Sequence, residues 1–79
     1  MYTLYLLLCK DQSIYTGITT DLERRFKEHK NGEGSRYTRA RGAVKILHTE
    51  EFRTRSKASK REFEIKSWKR ERKLTMIGI

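Results

Sequence analysis

Apolar and polar positions along the chain divide it into short, distinct segments. Thr3 to Cys9 is a run of aliphatic and aromatic side chains of a length that reads as a buried strand. Lys10-Asp11-Gln12-Ser13 is a polar turn, and Ile14 to Ile18 reads as a second strand, so the two are expected to form an antiparallel hairpin. Thr20-Asp21-Leu22-Glu23 carries a helix-start signal: Thr20 is placed to accept from the backbone three residues on, and Glu23 to reach back. Leu22, Phe26 and His29 follow at helical spacing and define one face. Asn31 to Ser35, with two glycines, ends that helix.

Arg36 to Gly42 then reads as a basic loop containing Tyr37. A third strand is expected within Ala43 to Phe52, centred on the alternation Val44, Ile46, His48. Thr54 or Ser56 is placed to cap a helix running to about Lys66, and a last short helix spans roughly Lys69 to Ile77. The expected fold class is α/β (α+β), in the order ββαβαα, with a small antiparallel sheet covered by helices. There is no proline, repeat or low-complexity tract, and 79 residues make one domain, 1–79.

Charge sharpens this picture. The chain holds 19 Lys and Arg against 10 Asp and Glu, a net charge of +9. Arg53 to Lys73 alone contains ten basic and three acidic residues, net +7, whereas Met1 to Phe52 contains nine and seven, net +2. Such a footprint favours a polyanionic partner, because counterions released from a phosphate backbone drive association. The one cysteine, Cys9, excludes an intramolecular disulfide and sits in an apolar run, so a buried structural thiol is expected. With only Cys9, His29 and His48, a Cys/His zinc cluster is excluded. The longest apolar run, Leu4 to Cys9, is too short to span a bilayer, and no basic segment with a long apolar stretch opens the chain. A reducing, cytoplasmic location is expected.

Three sets of residues carry candidate chemistry. Ala58, Glu62 and Ile65 fall within about 60° of one another on a helical wheel, so Glu62 shares a face with core residues. A carboxylate there needs either an arginine partner or a cation. Arg25 borders the buried face of the first helix, one turn from His29, while Arg24 points outward. Arg25 either covers apolar surface with its stem or aims its guanidinium at a phosphate. Tyr5 and Tyr15, on paired strands, are either packing residues or neighbouring phenols on one face.

Together these residues resemble a known pattern. Thr3-Leu4-Tyr5, then Tyr15-Thr16-Gly17 and then Arg25, at ten-residue intervals between Tyr5, Tyr15 and Arg25, is similar to the signature of GIY-YIG nucleases. Thr20 to His29 resembles the family's first helix, and Ala58, Glu62 and Ile65-Lys66 its later conserved helix. Gly32 to Arg39 resembles the small stand-alone bacterial members, which are related to the excinuclease N-terminal nuclease domain.

The resemblance implies a three-stranded antiparallel sheet flanked by helices and a metal-dependent endonuclease that hydrolyses phosphodiester bonds, with Mg²⁺ or Mn²⁺ as cofactor. Position by position, it implies catalytic roles for Tyr5, Tyr15, Arg25, His29 and Glu62, the last as metal ligand. Tyr5 would take the proton of the attacking water, as a phenolate lowered by nearby cations or through a relay with His29; Tyr15 would position water or phosphate, the two tyrosines being interchangeable at this point. Arg36, Tyr37, Arg39, Lys66, Arg70 and Lys73 are the expected nucleic-acid contacts. The partner is nucleic acid, DNA before RNA, with weak or structure-selective specificity and a place in DNA repair or recombination. No membrane or small-molecule cofactor is expected, and the protein is expected to be a monomer. A non-catalytic nucleic-acid-binding module with the same fold is the alternative.

The chain departs from the pattern at several positions. Thr3-Leu4 replaces Gly-Ile, Thr16 replaces an isoleucine, Ile18 stands where some relatives carry lysine, and Trp68-Lys69 replaces Leu-Ser. No asparagine follows the last helix. None of these changes removes a proposed catalytic group, but the missing lysine is one that would assist catalysis.

Overall fold

A computed structural model describes residues 1–78. It contains β1 (Tyr2–Cys9), β2 (Ile14–Thr19), α1 (Leu22–Lys30), α2 (Arg36–Arg41), β3 (Ala43–Phe52), α3 (Arg55–Lys66) and α4 (Arg70–Met76). The three strands form one antiparallel sheet in the order β2-β1-β3. The expected three-stranded sheet flanked by helices, in the order ββαβαα, is thus present, with one further short helix, α2, between α1 and β3.

The central strand explains its own composition. β1 is covered on both faces, so it reads as a continuous apolar run rather than an alternating one. Leu4 and Leu6 point to one side, where Ile14 and Ile65 complete a cluster backed by Trp68, Leu74 and Ile77. Tyr5 and Leu7 point to the other, with Ala43, Ile46, Leu22 and Phe26. Cys9 is buried and free, as its apolar setting predicts.

Three local expectations change. The cap of α1 is Asp21, whose Oδ1 accepts from the Arg24 N–H at 3.1 Å, rather than Thr20. The shift occurs because β2 runs on to Thr19, whose Oγ1 accepts from the Asp21 N–H; Glu23 lies beside Lys27 instead of reaching back. The segment read as a basic loop is the helix α2, capped by Ser35 Oγ accepting from the Thr38 N–H. On β3 the alternation of Val44, Ile46 and His48 fails. Register shifts between Leu6 and Leu7, and between Leu8 and Cys9, leave Leu47 and Val44 without direct partners on β1. These bulges send Leu47 into the Leu4–Leu6 cluster and leave Val44 38% exposed. The helix from Thr54 holds as expected: Thr54 Oγ1 accepts from the Lys57 N–H, and Ala58 and Ile65 are buried.

Candidate active site

Tyr5 projects from β1 onto the sheet face that α1 covers, and its hydroxyl meets His29 Nε2 at 2.8 Å. Both side chains are almost fully buried. His29 Nδ1 lies 2.7 Å from Thr38 Oγ1, and Thr38 Oγ1 lies 3.0 Å from Ser35 Oγ. Tyr5, His29, Thr38 and Ser35 therefore form one buried chain of hydrogen bonds linking β1, α1 and α2. Tyr15, from β2, packs against it, with ring centroids 6.2 Å from Tyr5, 5.2 Å from His29 and 5.6 Å from Tyr37.

Two glycines make this packing possible. A Cβ on Gly17 would lie 2.6 Å from Tyr5 Oη and 3.0 Å from Tyr15 Cε2. One on Gly34 would overlap His29 Nδ1. Gly17→Ala should destabilise the fold by about 1–3 kcal/mol through overpacking and push the Tyr5 phenol away from His29. Urea denaturation and the His29 ring resonances would test this; wild-type stability with unshifted resonances would show that Gly17 is not the seat of the phenol.

Arg25 flanks the same chain. Its Nη2 donates to the Gly34 carbonyl at 2.7 Å and its Nη1 to Glu28 Oε1 at 3.1 Å. Burial, and then the charge of Arg25, hold the His29 pKa below its ordinary 6.5. Burial, followed by the proximity of Tyr15, pushes the Tyr5 pKa up to about 12, with Arg25 opposing this only in part. Of the two routes expected for Tyr5, phenolate or relay through His29, this setting favours the relay, since desolvation outweighs the guanidinium.

The depressed His29 value sets a sign for stability. Between that value and 6.5, unfolded His29 binds a proton that folded His29 refuses, so stability rises with pH across this window and is lost on acidification. Denaturation midpoints measured across this range should show the slope, and His29→Gln should flatten it. An unchanged slope in the variant would assign the effect to another group.

Glu62 approaches from α3. Its neighbour Arg61 turns to β3, donating to Glu50 at 2.9 and 3.2 Å and also pairing with Glu64. The charge of Glu62, the next residue, is among those felt by Tyr5. Its ion-pair partner is Lys66, at 3.2 Å, so the arginine partner considered from the sequence is not the one formed. The Glu62 side chain is 22% exposed and that of Lys66 52%. Among the described residues, no group of three or more His, Cys, Asp or Glu is placed to hold a metal ion. A single, partly exposed carboxylate whose partner Lys66 lines a cleft would suit a hard, oxygen-seeking cation rather than a closed zinc cage.

That cleft, of about 390 Å³, is lined by Ile14, Tyr15, Thr16, Tyr37, Lys66 and Lys73. Three of the expected nucleic-acid contacts thus line one cavity. Burial, and then the charge of Lys66, lower the Lys73 pKa. Arg36 and Arg39 are exposed on α2, on either side of Tyr37 and Thr38. Arg70 is set apart: its Nε donates to the Gln12 carbonyl at 2.9 Å, latching α4 to the β1–β2 turn.

Residues 1–75 match the GIY-YIG catalytic domain. The chain belongs to the GIY-YIG family. Its relatives include UPF0213 proteins of Haloquadratum walsbyi, 56% identical over 69 residues, 87% of this chain and 78% of the relative, and of Staphylococcus saprophyticus, 46% identical over 75 residues, 95% of this chain and 92% of the relative. Among solved structures, the UPF0213 protein of Bacillus halodurans is similar with a TM-score of 0.62 at 41% identity, covering 98% of this chain and 83% of that one. A protein of E. faecalis gives 0.65 at 43% identity, covering 96% and 81%. Within this GIY-YIG domain the second-motif glycine is Gly17, the seat of the Tyr5 phenol. Sequence reading singled out Tyr5, Tyr15, Arg25, His29 and Glu62, but took Gly17 only as part of the motif, Gly34 and Ser35 only as part of a helix end, and gave Thr38 no role in the site. For the last two, the spacing Ser35-x-x-Thr38 was a cap signal that went unread.

No described helix is long and apolar enough to cross a membrane.

Proposed function

We propose that the protein is a metal-dependent endonuclease that hydrolyses phosphodiester bonds of DNA, with weak or structure-selective specificity, in repair or recombination. The observation that carries this reading is the Tyr5–His29 hydrogen bond, made by a phenol and a histidine kept neutral, beside Arg25 and packed against Tyr15, which lines the basic cleft. Phosphodiester hydrolysis needs a proton acceptor for water, a counter-charge at phosphorus and stabilisation of the leaving oxygen.

Arg25, anchored by the Gly34 carbonyl and Glu28, keeps further N–H donors for the non-bridging oxygens of the scissile phosphate. Tyr5 takes the proton of the attacking water as its own hydroxyl proton passes to His29 Nε2, which requires no free phenolate. In this step His29 Nδ1–H donates to Thr38 Oγ1, and Thr38 donates in turn to the Ser35 carbonyl. The imidazolium so formed lies near Arg25, whose charge favours return of the proton through Tyr5 to the leaving 3′ oxygen, so that no net proton stays on the protein. Tyr15 orients the water or the phosphate. Glu62 is the residue that would hold Mg²⁺ or Mn²⁺, which when bound supplies charge neutralisation at the phosphate and the leaving 3′ oxygen. Lys66, Lys73, Tyr37, Arg36 and Arg39 hold the flanking backbone.

Labelled branched, nicked, single-stranded and duplex DNA, with RNA counterparts, would be incubated with magnesium or manganese and with EDTA. Metal-dependent cleavage of at least one DNA substrate is expected. Tight binding with no cleavage of any substrate would leave the non-catalytic binding module as the reading.

A further inference from the structure

A second cavity, bordered by Arg25, takes no part in the proposed cleavage. It has a volume of about 270 Å³ and is lined by Tyr2, Ile18, Thr19, Thr20, Arg24, Arg25 and Arg55. Three guanidinium-bearing residues border it and no carboxylate does. Of the three, Arg25 is paired with Glu28, at 3.1 Å. Among the described residues, neither Arg24 nor Arg55 takes part in an ion pair. Three like charges with the single counter-charge of Glu28 repel one another, and an anion seated among them lowers that repulsion.

Position gives the anion its identity. β2 is an edge strand. Ile14 and Thr16 line the lysine cleft and Ile18 and Thr19 the arginine cleft. The two lie about three strand residues apart, roughly 10 Å. Arg25 belongs both to the arginine cleft and to the Tyr5–His29 group. We infer that the cleft of Arg24, Arg25 and Arg55 is a subsite for the phosphodiester adjoining the scissile one, so that the bound strand runs along the β2 edge with lysines on one side and arginines on the other. This rests on the nuclease reading for the position of the scissile phosphate. Arginine suits the task because its planar fork grips two phosphate oxygens at once. Arg24, outward on the helical wheel, then has a partner to face.

The test is an ¹⁵N NMR titration, in calcium buffer, with a thymidine hexanucleotide bearing no terminal phosphate. Saturable shifts of the Arg24 and Arg55 Nε–H signals and of the Thr20 amide are expected. Arg24→Ala and Arg55→Ala should each weaken binding about fivefold at 0.1 M salt, from a slope near 0.7 per phosphate contact on a single strand. The corresponding lysine variants should recover most of that loss. Circular dichroism should show all four variants folded, since both side chains are on the surface.

Unmoved arginine signals alongside shifted Tyr15 and Lys73 signals would overturn the subsite. So would shifts that appear only with a 5′-phosphorylated hexanucleotide, which would assign the cleft to a terminal monoester. The two readings fail separately. Cleft shifts without cleavage in magnesium or manganese would sink the nuclease reading and leave an internal-diester site. Cleavage by an Arg24→Ala/Arg55→Ala protein that binds like the wild type would sink the subsite alone.

Discussion

Glu62→Gln is expected to lower the cleavage rate by about 10³-fold or more while leaving the fold and nucleic-acid affinity in place. The structure separates these outcomes. The one ion pair lost is the i,i+4 contact with Lys66, whose partner is half exposed, and such pairs contribute about 0.3–0.5 kcal/mol. A buried pair with an arginine would have made the same change cost about 3–5 kcal/mol, but Arg61 is engaged by Glu50 and Glu64 instead. Affinity should hold or rise, because a negative charge beside the phosphate path is removed. The measurements are thermal denaturation, binding in EDTA so that no metal contributes, and single-turnover cleavage in magnesium. A variant that unfolds would make Glu62 a structural residue. A folded variant that still cleaves at the wild-type rate would remove it from the proposed mechanism.

How much of this was legible in the chain varied with the range of the interactions. β1 and α3 could be read because their signals are local: an apolar run for a strand buried on both faces, and a Thr54 cap before a buried Ala58 and Ile65. α2 could not. Six residues are too few to nucleate a helix alone, and this one depends on Thr38 being buried against His29, a contact nine residues away in sequence. The cap of α1 was off by one because Thr20 and Asp21 are both good caps, and the choice is made by where β2 ends. The bulges at Leu47 and Val44 leave no mark on composition, yet they decide which β3 residues enter the core.

The site shows the same division. Tyr5, Tyr15, Arg25 and His29 stood out by spacing, and they do meet. Gly17 and Gly34 look like ordinary strand and turn glycines until the ring atoms that would clash with a Cβ are known. The sequence left Tyr5 two routes, phenolate or relay through His29, because it displays the cationic neighbour but not the burial, which is the larger effect.

Arg25→Lys separates a catalytic phosphate contact from a general one. Lysine keeps the positive charge, so the counterion-release share of affinity should persist and the dissociation constant should change little. It lacks the planar fork that lets Arg25 hold the Gly34 carbonyl and Glu28 with two nitrogens while other N–H groups face the phosphate. Charge developing on the non-bridging oxygens would then meet a mobile ammonium rather than fixed donors, and the rate at saturating substrate should fall about 10²–10³-fold. Arg25→Ala should lose at least as much rate and, in addition, about fivefold in affinity at 0.1 M salt on a single strand. Single-turnover rates over a range of protein concentrations yield both quantities for each variant. Equal losses in rate and affinity, or a loss confined to affinity, would make Arg25 one more backbone contact and leave the developing charge at phosphorus to another residue. A fall in rate alone in the lysine variant is the outcome expected from a guanidinium pinned at two points beside the Tyr5 hydroxyl, where it is already in place before the charge develops.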